Sequence, residues 1–278
     1  MFSFLTEILQ KNALDLFAPI PLSACRLQKP YLLERAGIQD GTVIMLAVPY
    51  YTEACTEQTR NLSAYAVSHD YHTFFEMLFE SILPRLCVQF PMHRFVGFAD
   101  HSPIAEVEAA ARAGLGVIGK NGLLLTQKYS SYIFLGEIVT DAHIPCQTHE
   151  ITYCSSCGAC TSACPAKACG GCLSALTQKK GELTAAEAKA LVHYGSAWGC
   201  DICQEVCPYT VRALQSGTIF TQIPYFTEAP IAHLTTEVLD AMSDAEFCKR
   251  AFAWRGRTVV RRNLLLLESH SKKGEYQC

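Results

Sequence analysis

The sequence predicts an α+β protein: a mixed α/β domain over residues 1–150, a cysteine-rich insert at 151–225, and a helical closing segment at 226–278. Three observations predict it. Strand-like apolar runs alternate with helix-period patterns in the first half. Nine cysteines crowd the stretch from Cys154 to Cys207. Helical periodicity then returns at 235–250 and 257–268.

The bulk numbers set the frame. A chain of 278 residues accommodates one large domain or two ordinary ones. Half of it is apolar and 18% is charged, enough for a sizeable core and unlike a disordered chain. A net charge of -3 exerts no global pull toward nucleic acid or anionic membrane. The N-terminus lacks a basic leader region and a small-residue cleavage site, and the longest apolar run, VIMLAVPYY, is too short to span a bilayer. The expectation is a cytoplasmic protein without a membrane partner, in a compartment where clustered thiols hold metal more often than they form disulfides.

In chain order, Leu5, Ile8, Leu9 and Leu16 suit an amphipathic helix over 3–16, and TVIMLAVPYY reads as a strand. A long helical pattern runs from Leu62 to Leu86, with Phe74, Phe75, Leu78, Phe79 and Ile82 on one side. HRFVGFAD reads as a strand ending at Asp100. SPIAEVEAAARAG carries helix signals: Ser102 as N-cap, Pro103 at the first helical position, Glu106 and Glu108 in the early turns, Gly114 past the end. GLGVIGKNGLLLT is a glycine-rich turn with an apolar run, and SYIFLGEIVTD is a strand. Thr184 to Tyr194 reads as a short helix between two cysteine runs.

The first run, Cys154, Cys157, Cys160, Cys164 and Pro165, has the spacing C-x2-C-x2-C-x3-C-P of a bacterial ferredoxin segment, whose fourth cysteine serves the other cluster of a pair. Small residues between the first three let their thiolates converge on one cubane. The second run, Cys200, Cys203, Cys207 and Pro208, supplies three more, and Cys169 and Cys172 are the nearest spares for the eighth position. The assignment is Cys154, Cys157, Cys160 and Cys207 to one [4Fe–4S] cluster, and Cys164, Cys172, Cys200 and Cys203 to the other. Structural zinc favours two separated ligand pairs, which this interlocked pattern is not. The remaining cysteines are scattered and read as ordinary small apolar residues. GLGVIGK lacks the terminal Lys-Ser/Thr pair of a phosphate loop and follows a helix, and no G-x-G-x-x-G fingerprint is present.

Several segments together resemble the epoxyqueuosine reductases, cobalamin and iron–sulfur enzymes of queuosine biosynthesis in tRNA. SHDYH at 68–72 is similar to the family's R-D-Y-H, with no arginine before Asp70. ADHSPIAEVEAAARAGLGVIGKNGLLL, YIFLGEIVTD, CLSALTQKKGEL, GCDICQEVCPY and RRNLLLL resemble successive family motifs in the same order, from about Val43 to Leu267. The resemblance favours Cys172 over Cys169. It implies a cobalamin in the α/β domain and a ferredoxin-like domain with two [4Fe–4S] clusters feeding it electrons from an external donor such as a flavodoxin or ferredoxin. It places the proton donor at Asp100, and Lys120 and Asn121 where the family approaches cobalamin, with Tyr71 and His72 as candidate lining of the same pocket. The plainer readings are a helix-entry role for Asp100, polar turn residues at 120–121, and packing by Trp198 beside Cys200. The resemblance implies a short form, without the C-terminal helical-repeat domain of longer members and with that domain's hold on tRNA missing. Against this, Lys249, Arg250, Arg255, Arg257, Arg261, Arg262, Lys272 and Lys273 make a basic end, expected either to contact phosphates or to be a solvated helix face. The competing functions are reduction of a small molecule, as in reductive dehalogenases, and non-catalytic electron carriage.

Overall fold

A computed structural model of the chain describes the backbone of residues 1–274 and the side chains of 1–270. Lys272 and Lys273 of the basic end, and Cys278, lie outside the described side chains. The chain divides into two compact units, each assembled from separate stretches: residues 1–50, 71–158 and 208–223 in the first, and 51–70, 159–207 and 224–278 in the second.

The first unit is built on a four-stranded antiparallel sheet: β1 (Phe17–Pro21), β2 (Thr42–Pro49), β3 (Phe95–Phe98) and, later in the chain, β6 (Ile133–Thr140), in the order β1-β2-β6-β3. Every residue of β2 is buried, as an unbroken apolar strand at the sheet centre should be. Its register on β6 sets Thr42 opposite Thr140 and Met45 opposite Glu137. Against the sheet packs a core of Ile20, Leu33, Val43, Met45, Ala110 and Leu124. Five helices of the chain's first half can be numbered α1 (Phe2–Lys11), α2 (Tyr31–Ala36), α3 (Ala64–Val67), α4 (Tyr71–Gln89) and α5 (Glu106–Arg112). A small hairpin pairs β4 (Val117–Ile118) with β5 (Leu124–Leu125).

Three expectations are corrected. The first helix stops at Lys11, not 16: Asn12 caps it by donating to the Ile8 carbonyl, and Ala13 turns left-handed at φ 58°. The chain then forms β1, an edge strand that tolerates Pro19 and Pro21. The long helix of 62–86 is two helices, α3 and α4. Between them the chain extends at Ser68, whose hydroxyl donates to the Phe226 carbonyl at 2.5 Å within the second unit. Ser102 is not a helix cap. Residues 102–105 are drawn into extended pairing with 26–29, through Gln28 and Lys29 donating to the Pro103 carbonyl and Ala105 to that of Arg26, so α5 begins only at Glu106.

The second unit is helical. Thr184 forms a capping box with Glu187 at the start of the helix Ala185–Tyr194, as the sequence predicts. The expected helical patterns at the C-terminal end resolve into Thr236–Ala241, Asp244–Cys248 and Arg257–Gly274. Asn263 of the last helix is fully buried and donates to the carbonyls of Thr177 and Ala197, tying it to the cysteine-rich segment. No helix among the described residues is long and apolar enough to cross a membrane.

Candidate functional site

In the first unit, β3 ends at Phe98, opposite Glu137 of β6. The chain turns immediately afterwards. Asp100 takes a left-handed backbone at φ 61°, uncommon for a residue with a side chain and typical of functional turns. Its carboxylate is two-thirds exposed and lies 3.6 Å from His72 Nε2, a charge contact longer than a hydrogen bond. His72 and Tyr71 open α4. Tyr71 stacks on Phe134 of β6 with ring centroids 4.2 Å apart and planes 12° from parallel, and Phe134 meets Tyr50 at 4.2 Å. The His72 ring lies 4.1 Å from that of Tyr71. A row of rings thus leads to the Asp100 carboxylate. The arrangement suits a flat, largely apolar partner with an acid at its margin.

Lys120 and Asn121 occupy the tip of the β4–β5 hairpin, where Gly122 supplies the left-handed turn residue at φ 83°. The backbone leading into the first cysteine run pairs with this hairpin: Ile118 donates to the Thr152 carbonyl and accepts from Cys154. The Lys120 N–H then donates to Cys154 Sγ at 3.3 Å. Amide hydrogens on ligating sulfurs are one means by which a protein sets a cluster's potential.

All fourteen cysteines among the described residues are free. In the second unit Cys160 and Cys203 lie on the short helices Ala159–Ala163 and Ile202–Glu205, Cys169 ends the helix Ala166–Cys169, and Cys172 precedes Leu173–Thr177. Burial, with Cys203 and Cys172 nearby, pushes the Cys200 thiol up to about 11. Cys164 and Cys172 similarly act on Cys169. Cys164, Cys169, Cys172, Cys200 and Cys203 are therefore close companions, and proximity alone does not choose between Cys169 and Cys172. Among the described residues, no three His, Cys, Asp or Glu side chains converge on a single ion. A cubane asks for a different arrangement, because each thiolate takes its own iron and the four sulfurs surround a cluster, not a point. The eight candidates are all thiols, the donor chemistry such a group takes.

Sequence reasoning missed the residues that hold this loop. Asp201, between two candidate ligands, is 5% exposed. It accepts from Arg60 Nη1 at 2.6 Å, Ser63 Oγ at 2.5 Å, the Ala64 N–H at 2.6 Å and Gln204 Nε2 at 3.1 Å. Arg60 also reaches Glu205 at 2.6 Å. The available signal was a charged residue inside a cysteine run, G-C-D. Trp198 is fully buried and meets Trp254 edge-on at 6.5 Å, a packing role.

Sequence reasoning gave Glu106 only a helix-start role and passed over Glu137. Glu137, fully buried in β6, accepts from Ser102 Oγ at 2.5 Å. Its Oε2 and the Glu106 Oε1 are buried without a hydrogen-bond donor. Burial and mutual repulsion push the Glu106 carboxyl up, and Glu137 well above the ordinary range. A glutamate inside the apolar strand IFLGEIVT was the signal for it.

Among the described residues, the arginines of the basic C-terminal end have partners within the protein. Arg250 is 8% exposed and donates to the Ala229 carbonyl. Arg257 donates to the carbonyls of Leu239 and Met242, and Arg261 pairs with Asp240 at 3.0 Å. Arg262 donates to the Lys179 and Gly181 carbonyls, and Arg255 stacks on Trp254 at 3.8 Å.

The chain matches no family model. Among curated proteins, it is 33% identical over 232 residues to an epoxyqueuosine reductase of Gloeobacter violaceus, covering 80% of this chain and 71% of that one. Among solved structures, the epoxyqueuosine reductase of Streptococcus thermophilus aligns with a TM-score of 0.77 at 20% identity, over 98% of this chain and 81% of that one. An epoxyqueuosine reductase crystallised with an epoxyqueuosine-modified stem loop of tyrosine tRNA aligns with a TM-score of 0.72 at 23% identity, over 99% of this chain and 83% of that one. A mixed helix-and-sheet fold with these relatives is that of an oxidoreductase. The chain belongs to the epoxyqueuosine reductase family.

Proposed function

We propose that this chain reduces epoxyqueuosine to queuosine in tRNA. The family membership supports the reaction, and the placing of Asp100 at the end of a row of aromatic rings, beside His72, is the observation that carries it. Opening an epoxide to an alkene consumes two electrons and two protons and releases the oxygen as water. The electrons come from an external donor such as a flavodoxin or ferredoxin. In this reading residues 1–150 are the cobalamin-binding catalytic domain, 151–225 the two-cluster domain and 226–278 a helical segment. Cys154, Cys157, Cys160 and Cys207 hold one [4Fe–4S] cluster, and Cys164, Cys172, Cys200 and Cys203 the other. A bound cobalamin would supply the electron-rich cobalt that the reduction needs.

The chain's own residues do the rest. Tyr71 and His72, with Lys120 and Asn121 at the hairpin tip, line the cofactor. The apolar rings exclude water from the reacting face. Asp100 delivers a proton to the departing oxygen, which otherwise leaves as a poor alkoxide. A positioned acid contributes typically 10²–10⁴-fold to such a step. His72, close to the Asp100 carboxylate, orients it.

The test is anaerobic turnover of epoxyqueuosine-containing tRNA by protein reconstituted with iron, sulfide and cobalamin, scored by nucleoside mass. The expected product has lost one oxygen atom. Retained iron without retained corrin absorbance, and no change in the nucleoside, would leave an electron carrier in place of a reductase.

A further inference from the structure

Asp100 stands at the apex of a three-residue turn. The His101 N–H donates to the Ala99 carbonyl at 2.6 Å and closes the turn, while the Asp100 φ of 61° lies in the left-handed range. A turn this tight with a positive φ at its centre is rare and strained, and such a backbone persists only where its surroundings hold it. On the inner side the hold is Ser102, which is 3% exposed and donates its hydroxyl to Glu137 Oε1 at 2.5 Å.

On the outer side the hold is a strap, residues 26–31, that leads into α2. Its backbone is laid along 103–105. The Gln28 and Lys29 N–H groups both donate to the Pro103 carbonyl, at 2.8 and 3.1 Å, and Ala105 donates to the Arg26 carbonyl at 2.9 Å. Arg26 grips Glu108 of α5 through two nitrogens, at 2.8 and 2.6 Å. Two side chains of the strap then close on one ring. Lys29 Nζ lies 3.0 Å from His101 Nδ1, and Tyr31 Oη lies 3.1 Å from His101 Nε2. An ammonium only donates, so Nδ1 accepts, and Nε2 is left to carry the proton and donate it to the tyrosine oxygen. The Tyr31 and His101 rings also meet edge-on, with centroids 6.4 Å apart. All three side chains are exposed, so these contacts contribute little to overall stability. What they fix is the residue directly after Asp100.

We propose that His101, gripped at both ring nitrogens by Lys29 and Tyr31, is a positioning residue that keeps the strained turn closed and so aims the Asp100 carboxylate. His72 approaches that carboxylate itself at 3.6 Å, whereas the clamp acts on the backbone that carries it. A proton donor must come within hydrogen-bond reach of the departing oxygen, and a misplacement of about 1 Å can cost about 10²-fold in rate. The clamp on the turn stands on the contacts alone. Its service to the reaction rests on the reading of Asp100 as proton donor.

The experiment uses the full chain, anaerobically reconstituted. K29M/Y31F removes both grips and leaves His101 in place. Its kcat on epoxyqueuosine-containing tRNA should fall about tenfold or more while KM stays within about twofold. K29R, which keeps a donor for Nδ1, should stay within about threefold of wild type. H101A should match K29M/Y31F, and the triple variant should be no worse than either, because all three residues act as one unit. A crystal structure of K29M/Y31F should show the Asp100 backbone outside the left-handed region, and its Tm should lie within about 3 °C of wild type. An unmoved Asp100 overturns the clamp. Wild-type kcat in K29M/Y31F, a change in KM alone, or an impaired H101A beside an unimpaired K29M/Y31F overturns the positioning role, the last because His101 would then meet the substrate directly. A large fall in Tm overturns it too, in favour of a general structural tie. If D100N turns over like wild type, the reading of Asp100 as donor fails, while the crystal structure still decides the clamp.

Discussion

Replacing Asp201 with alanine removes the acceptor at the centre of the second unit's polar network. The carboxylate, with a side chain 2% exposed, takes four hydrogen bonds, and its partner Arg60 is only 11% exposed. After D201A, the Arg60 guanidinium keeps the Leu62 carbonyl and Glu205, but the Ser63 hydroxyl and the Ala64 N–H lose their acceptor. Breaking a buried ion pair by deleting one member typically costs about 3–5 kcal/mol. At about 2–4 °C per kcal/mol for a chain of this size class, the melting temperature should fall by about 6–20 °C. Because Asp201 lies between Cys200 and Cys203, the loop carrying two proposed ligands should loosen as well. Iron should drop from about eight atoms per chain toward about four, the content of a single [4Fe–4S] cluster. The assays are thermal melting by circular dichroism and iron analysis of anaerobically reconstituted protein. D201N, which keeps the shape and one acceptor oxygen but loses the charge, should fall between wild type and D201A. A D201A protein melting within about 3 °C of wild type with its full iron would refute the claim that this network holds the loop.

D100N should lower turnover by about 10²–10⁴-fold with iron and corrin content unchanged, as steady-state kinetics on modified tRNA would show; unaltered kinetics would remove the donor role. C172A should lose about half the iron while C169A keeps it, measured by iron analysis; the opposite result would exchange the two. G136A should destabilise by about 1–3 kcal/mol in urea unfolding, because a Cβ there would come within 2.8 Å of the Phe75 ring carbon Cζ and the sheet has no slack to move it.

The legible parts of the fold were those where one physical signal dominates. TVIMLAVP could hardly be anything but a buried strand, and Thr184 with Glu187 announced the start of its helix. The errors arose where a tertiary contact outbid a local one. Ser102 and Pro103 carry good helix-start chemistry, yet the Pro103 carbonyl is claimed by Gln28 and Lys29, so the helix begins later. FAPIP has too many prolines to read as a strand, and only its position at the sheet edge makes them harmless. At the site, the cysteines announced themselves because ligand spacing is a local property. Asp201, Glu106 and Glu137 did not, because each looks ordinary until strand register and chain crossings bring its partners. A count of arginines at the C-terminal end is likewise blind to the carbonyls and carboxylates that several of them already hold.

Arg60 and Asp201 are separated by 141 residues. On a ribosome adding about 5–20 residues per second, Arg60 emerges roughly 7–28 s before the aspartate that neutralises it. Asn61 waits longer still for Leu234. Through that interval the Ser63 hydroxyl and the Ala64 N–H lack the acceptor that Asp201 provides, and the first cysteine run emerges before the second. The thiols of the first run thus stay unaccompanied by those of the second while the chain between them is still being made.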